Sequence, residues 1–179
     1  MTTSSYVFKS AVPVIWLLIA CVGALIRTRG VTDRAARLET WQRWWAAAAL
    51  GCGSLWMTLS FLTIPDYMAD AIGFAHSPFQ TEIAFANLAL VLLGFRAVRA
   101  SARERITSAL AAGMFLWGAT IGHLYQFIAN ADHQPGNTGG VLVYDVLIPA
   151  VMLVLALRAR KLERQADATA TSGDQLIKL

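Results

Sequence analysis

The stretch HSPFQTEIAFAN, residues 76–87, places a carboxylate one turn inside a predicted hydrophobic helix. Ser77 is a candidate cap, Pro78 suits the first helical position, and Gln80 follows the cap by the three residues of a capping box. Glu82 then precedes a long apolar run. A carboxylate costs about 2.5 to 3.5 kcal/mol at the centre of a membrane helix and less near an interface. Glu82 therefore requires a partner, water or a proton.

Two later stretches offer polar partners at a similar predicted depth. GHLYQ contains two polar residues on one helical stripe, and PGNTGGVLVYD contains an amide and an acid. Asn87 lies deep enough in its helix to need a hydrogen bond to another helix. We therefore predict an outer group of polar residues as candidates for a ligand-binding site: His76, Gln80, Glu82, Asn87, His123, Gln126, Asn137 and Asp145. Glu82 is rotated from Asn87 by about 140° at 100° per residue, so one pocket need not hold Gln80, Glu82 and Asn87 together.

Three kinds of chemistry fit these residue types. In an enzyme acting on a lipid or isoprenoid, Glu82 and His123 would be the catalytic acid and base, although no nucleophilic Ser or Cys motif accompanies them. In a structural network, the same polar groups would satisfy one another, fix helix register and form a small-molecule or lipid pocket.

The third possibility is a metal site on the same side of the protein. Nitrogen and oxygen ligands would come from His76, His123, His133, Glu82, Asp132 and Asp145. No HxxH, HExxH or CxxC spacing supports such a site. We predict neither a metal nor a cofactor.

The composition defines the elements that must position these residues. Of 179 residues, 56% are hydrophobic and only 15% charged, and the mean hydropathy is +0.52, which excludes an ordinary soluble domain. We predict an all-α integral membrane bundle of five transmembrane helices at about residues 12–26, 44–64, 79–98, 107–128 and 141–157. Residues 31–45 predict a separate helix along the headgroups, before the second span.

The basic residues predict the orientation. Of the 15 Lys and Arg residues, 14 lie in residues 27–43, 96–105 and 158–178, whereas only Lys9 lies on the other side. By the positive-inside rule, the amino terminus is outside and the carboxyl terminus is in the cytoplasm, which requires an odd number of spans. Residues 1–158 form the predicted membrane domain and residues 159–179 a cytoplasmic tail. Membrane topology explains the net charge of +4, so we predict no nucleic-acid partner.

Three motifs carry a family resemblance. SPFQTEIAFANL, IGHLYQ and PGNTGGVLVYDVLIP resemble the recurring motifs of a family of small bacterial multispan membrane proteins of unknown function, over about residues 44–157. The resemblance implies a shared helical bundle and no particular chemistry. The usual motif has Gly-rich positions where this chain has Ile83 and Leu90. The first span and the tail lie outside the resemblance.

We predict a multi-pass protein of the bacterial inner membrane. Its expected role is that of a non-catalytic accessory or lipid- or small-molecule-binding subunit of a larger envelope complex, such as a lipid transporter. Its expected partners are membrane lipid and other integral membrane subunits. The alternative is the membrane-embedded enzyme acting on a lipid or isoprenoid, with Glu82 and His123 as acid and base.

Overall fold

The computed structural model describes residues 6–7 and 10–177, and this part of the chain contains helices and no strand. The predicted all-α fold class is thereby confirmed. Lys9 and Lys178, which entered the charge argument, lie outside the described residues. The helices are α1 (Val14–Arg27), α2 (Arg34–Thr63), α3 (Pro65–Ile72), α4 (Phe79–Ala97), α5 (Ala102–Ala129), α6 (Pro135–Thr138) and α7 (Gly140–Ile177).

Three helical segments of the described residues are long and apolar enough to cross a membrane. They are Arg34–Thr63, Phe79–Ala97 and Pro135–Ser172. Helix α1 is apolar but has 14 residues, hence a length of about 21 Å against a hydrocarbon core of about 30 Å. Helix α5 is long enough, but the threonine, glycine and histidine residues within it lower its hydropathy.

Helix α2 begins at a cap and continues without a break. The side chain of Asp33 accepts hydrogen bonds from the backbone N–H groups of Ala35 (3.3 Å) and Ala36 (2.9 Å). The segment over residues 31–45, predicted as a helix along the headgroups, is helical from Arg34 and continues directly into the second predicted span, to Thr63. No glycine or proline occurs from the cap to the middle of this helix. The backbone instead forms a π-helical segment over Trp45–Cys52.

Small residues form most of the core and allow close approach of the helices. Alanines of α1, α2, α4, α5 and α7 are buried, as is typical of helix packing in membranes. A Cβ atom added to Gly94 of α4 would lie 2.6 Å from the backbone nitrogen of Gly51 in the π-helical segment. The Tyr144 hydroxyl of α7 donates to the Ala49 carbonyl of α2 at 3.1 Å.

Helix α7 continues past the predicted end of the last span. Pro149 lies within it and is fully buried, and the helix reaches Ile177. The residues predicted as a separate tail from 159 onward therefore begin as a direct extension of the last helix.

Candidate functional site

Three of the predicted site residues lie together: His123, Asn137 and Asp145. We call them the His123 cluster. The Nδ1 atom of His123 lies 2.7 Å from Asn137 Oδ1. The Asn137 amide nitrogen donates to two backbone carbonyls, those of Asp132 (3.2 Å) and His123 (3.4 Å). Because an amide oxygen can only accept, Asn137 Oδ1 accepts a hydrogen bond from the Nδ1–H group of His123. The Nε2 atom of His123 is thus left as the position that can bind or release a proton.

Asp145 faces that position. Its Oδ2 atom lies 3.9 Å from His123 Nε2, and the side chains of His123 and Asp145 are only 11% and 6% exposed. Among the described residues, Asp145 has no hydrogen-bond partner. An unpaired buried charge is costly, so the two groups are stable either as an ion pair or with the proton on the carboxyl group and a neutral imidazole.

Three helix ends and one loop position the His123 cluster. His123 lies near the end of α5, Asn137 in the four-residue helix α6, and Asp145 in the second turn of α7. The loop after α5 turns at Ala131, whose φ is 51°. Gln126, predicted to join the site, accepts a hydrogen bond from the Asn130 side chain and so stabilises this turn locally.

Glu82 does not join the His123 cluster. It is exposed, and no hydrogen bond or ion pair connects it to another described residue. The buried stripe of α4 contains Gln80, Ala84 and Asn87, spaced by four and three residues. At 100° per residue, Glu82 lies about 200° away from Gln80, on the opposite face of the helix. The predicted pairing of Glu82 with His123 is therefore absent from the structure.

Gln80 and Asn87 are buried, and their described hydrogen bonds are local. The Gln80 oxygen accepts from the Ser77 backbone N–H (2.9 Å), as in half of the predicted capping box, and from its hydroxyl (3.1 Å). The Gln80 amide donates to the Ala75 carbonyl at 3.0 Å. The Asn87 amide donates to the Ile83 carbonyl of its own helix at 2.9 Å, where we expected a bond to another helix. Gln80 thus stabilises the start of α4, whereas the Asn87 amide is satisfied within the middle of the helix.

His76 lies in the loop between α3 and α4, apart from the His123 cluster. Its Nε2 atom is 2.8 Å from Asp70 Oδ1, and its Nδ1 atom is 3.5 Å from Asp66 Oδ1. The hydrogen bond to Asp70, with the negative charges of both aspartates, raises the pKa of His76 above its ordinary value of 6.5. The ring is exposed, so these contacts join the loop to α3 at the protein surface.

The residues considered for a metal site are distributed over separate places. His76 pairs with the aspartates of α3, and His123 with Asp145. His133 is exposed and packs edge-on against Phe127, with ring centroids 5.0 Å apart. Asp132 accepts from the Gln134 backbone N–H at 3.0 Å. Across the described ranges, no group of three or more His, Cys, Asp or Glu side chains is arranged to hold a metal ion.

A second polar centre at the other end of the bundle was missed by the sequence reasoning. Arg105, only 5% exposed in its side chain, donates to the carbonyls of Ala97 (2.8 Å) and Val98 (3.0 Å) at the end of α4. It also forms a bidentate ion pair with Glu39 of α2, which in turn accepts from Arg43 at 2.7 Å. We call Arg105 with these partners the Arg105 clamp. It connects α2, α4 and α5.

One sequence signal pointed to this region. Ser101 and Glu104 have capping-box spacing, and the structure contains both bonds of that box at the start of α5. The burial of the neighbouring Arg105 had no such signal, because an arginine in a basic connection resembles an exposed topological determinant.

Two grooves lie between α2 and α7, and neither includes a residue of the His123 cluster. The first, of about 430 Å³, is lined by Trp41, Ala150, Val151, Val154, Leu155 and Arg158. The second, of about 480 Å³, lies further toward the carboxyl end of α7 and includes the acidic residues Asp33, Glu39 and Glu163. We call the first the Trp41–Arg158 groove.

Over the residues that the structure describes, the fold defines the class: a helical protein with three segments long and apolar enough to cross a membrane. The chain belongs to DUF6790, a family of unknown function whose sequence model matches residues 10–165. This match includes α1, which the motif resemblance over residues 44–157 had left outside. Comparison with curated proteins and with solved structures gave no match.

Proposed function

We propose that this chain is a five-span protein of the bacterial inner membrane and serves as a non-catalytic accessory subunit that binds lipid within a larger envelope complex. A lipid transporter is one such complex. The amino terminus is outside and the carboxyl terminus is in the cytoplasm. The His123 cluster then lies toward the outer surface, and the Arg105 clamp lies toward the cytoplasm.

Exposed apolar side chains support the placement of α1 and α5 in the membrane, although α1 is short and α5 is less apolar than the other spans. On α1, Leu18, Val22 and Ile26 are each more than half exposed. On α5, Met114 and Ile128 are each 78% exposed. Large contiguous apolar surfaces are rare on soluble monomers. In a bilayer they contact lipid.

The arrangement of polar groups supports an accessory role over catalysis. The amide of Asn137 is fully buried, and all of its described hydrogen bonds go to His123 and two backbone carbonyls. Glu82 is exposed on the face of α4 opposite to Gln80. The proposed acid and base therefore do not face a common substrate position. This internal use of the Asn137 amide is the observation on which the non-catalytic assignment depends.

The topology can be tested with reporters of membrane side. Single cysteines placed in residues 28–33, 65–77, 98–101 and 130–139 would be labelled in intact cells and in inverted vesicles. We expect the second and fourth loops to react from outside and the first and third from the cytoplasm. Labelling of both termini from one side would contradict the proposed orientation.

The accessory role can be tested by purification in mild detergent from native membranes, combined with two variants. We expect an integral membrane partner at fixed stoichiometry, confirmed by reciprocal purification with the partner tagged. Glu82→Gln should retain both partner and thermal stability, whereas His123→Ala should lose stability. A chain that purifies alone and keeps its stability in both variants, while either variant loses turnover of a lipid or isoprenoid, would favour the enzyme.

A further inference from the structure

The Trp41–Arg158 groove is an apolar surface with one charged end. Four aliphatic side chains of α7, among them Val151 and Val154, form one wall of the groove. Arg158 is the only charged residue among the described residues that line it. Trp41 of α2 forms the opposite side. A groove of this composition is suited to a hydrocarbon chain, with a polar group near the guanidinium.

The position of the groove along α7 matches the expected edge of a bilayer. Arg158 is the first basic residue after the apolar stretch 141–157, and tryptophan side chains favour the same interfacial depth. The aliphatic part of the groove, from Ala150 to Leu155, then lies within the hydrocarbon layer, and Arg158 reaches the headgroups.

The charge around this end is positive. Arg37 is exposed one helical turn before Trp41, and Lys161 is exposed three residues after Arg158, so each lies on the same helix face as its groove residue. The acidic side chains of the neighbouring groove lie further toward the carboxyl end of α7. Clustered basic residues at this depth attract anionic lipid, by about 1 kcal/mol for each Lys or Arg.

We propose that the Trp41–Arg158 groove binds one anionic phospholipid, with its phosphate at Arg158 and an acyl chain along Val151 and Val154. Resting on the proposed membrane function, this names a ligand class for the accessory subunit. The lipid belongs to the leaflet at the Arg105 end of the bundle. Its acyl chain lies in the groove between α2 and α7 at the protein surface.

The test uses the purified full chain in detergent micelles, titrated with phosphatidylglycerol or phosphatidylcholine carrying brominated acyl chains that quench tryptophan. We expect stronger quenching by phosphatidylglycerol, and we expect the difference to disappear in Trp41→Phe, which keeps the other five of the six tryptophans. Arg158→Gln should weaken phosphatidylglycerol binding about fivefold and leave phosphatidylcholine unchanged. Arg164→Gln, an equal change of charge at an exposed residue outside the groove, is the control.

A second pair of variants tests the acyl-chain position without a change of charge. Val154 and Val143 are exposed to 46% and 45% on α7, and only Val154 lines the groove. Val154→Phe should reduce quenching of Trp41, whereas Val143→Phe should not. Equal quenching by the two lipids, or equal effects within either pair of variants, would overturn the inference.

Failure of the inference can be distinguished from failure of the proposed function. A chain that resides in the membrane with its partner but does not distinguish the two lipids would disprove only the lipid site. A chain that is absent from the membrane fraction would disprove the proposed function.

Discussion

Arg105 and Glu39, 66 residues apart in the chain, form a bidentate ion pair that joins α5 to α2. The same guanidinium donates to two carbonyls at the end of α4. These carbonyls lack partners within their own helix, as the last carbonyls of any helix do. One buried side chain thus satisfies a helix end and aligns three helices.

Replacing Arg105 should strongly destabilise the bundle. Arg105→Gln leaves Glu39 without its main partner and removes the guanidinium donors of the Ala97 and Val98 carbonyls, of which Ala97 keeps the Ala100 backbone N–H at 3.3 Å. We expect the free energy of unfolding to fall by about 3 to 5 kcal/mol. Thermal unfolding in detergent, followed by circular dichroism, measures this loss. Arg103→Gln removes the same charge from an exposed position and should change stability by less than about 0.5 kcal/mol. Similar losses in both variants would show that charge alone matters.

Replacing Asn137 should disrupt the His123 cluster. Asn137→Ala leaves the His123 Nδ1–H unpaired in a buried place and removes the amide donor of the Asp132 carbonyl, and each such group costs about 1 to 3 kcal/mol. We expect a total loss near about 3 kcal/mol in the same unfolding measurement. Asn130→Ala, which removes one exposed hydrogen bond, should cost about 1 kcal/mol. A loss at Asn137 no larger than that at Asn130 would refute a structural role for the cluster.

Two glycine-to-alanine substitutions should change the free energy of unfolding in opposite directions. A Cβ at Gly94 would lie 2.6 to 2.8 Å from backbone atoms of Gly51 and Ala46, which cannot rotate away as a side chain would. Gly94→Ala should therefore cost about 1 to 3 kcal/mol by overpacking. Gly118 has open space around its position. Gly118→Ala should stabilise the isolated chain by about 0.5 to 1 kcal/mol, and a loss there would contradict the described packing.

His76 should titrate above its ordinary value. Because Asp70 and Asp66 favour the protonated imidazole, the folded-state pKa exceeds the unfolded value of 6.5. The contribution of this group to stability is therefore fully present below pH 6.5 and is lost as the pH rises through the folded-state pKa. Nuclear magnetic resonance of the three histidine rings, assigned with His76→Gln, measures the midpoint.

Two carboxylate variants separate the causes of this shift. Asp70→Asn removes the 2.8 Å contact and should lower the His76 midpoint more than Asp66→Asn, which removes a 3.5 Å contact. Protection of the amides of residues 65–77 from hydrogen exchange, corrected for the intrinsic pH dependence of exchange, should be greater below pH 6.5 than above the folded-state pKa. If Asp66→Asn lowered the His76 midpoint more than Asp70→Asn, Asp66 would be the main partner of His76 and this prediction would be wrong.

The helix positions could be predicted because they depend on local pattern. Each of the five predicted spans lies within a helix or extends past its end by at most two residues, since long apolar runs separated by charged or Gly- and Pro-rich connections specify helices by composition alone. The cap at Asp33 also follows from local chemistry. The continuity of α2 through Trp45–Cys52 did not, because a π-helical segment depends on which helix packs against it.

The amino-acid sequence by itself determined that this protein is an apolar helical bundle with basic connections and polar residues near one set of helix ends. Only the tertiary structure decided which of those polar residues meet. Glu82 turns outward and Asp145 inward, because the rotation of each helix is set by the small residues that pack beneath it. Arg105 became the central cation for the same reason: its helix packs where Glu39 and two carbonyls at the end of α4 converge.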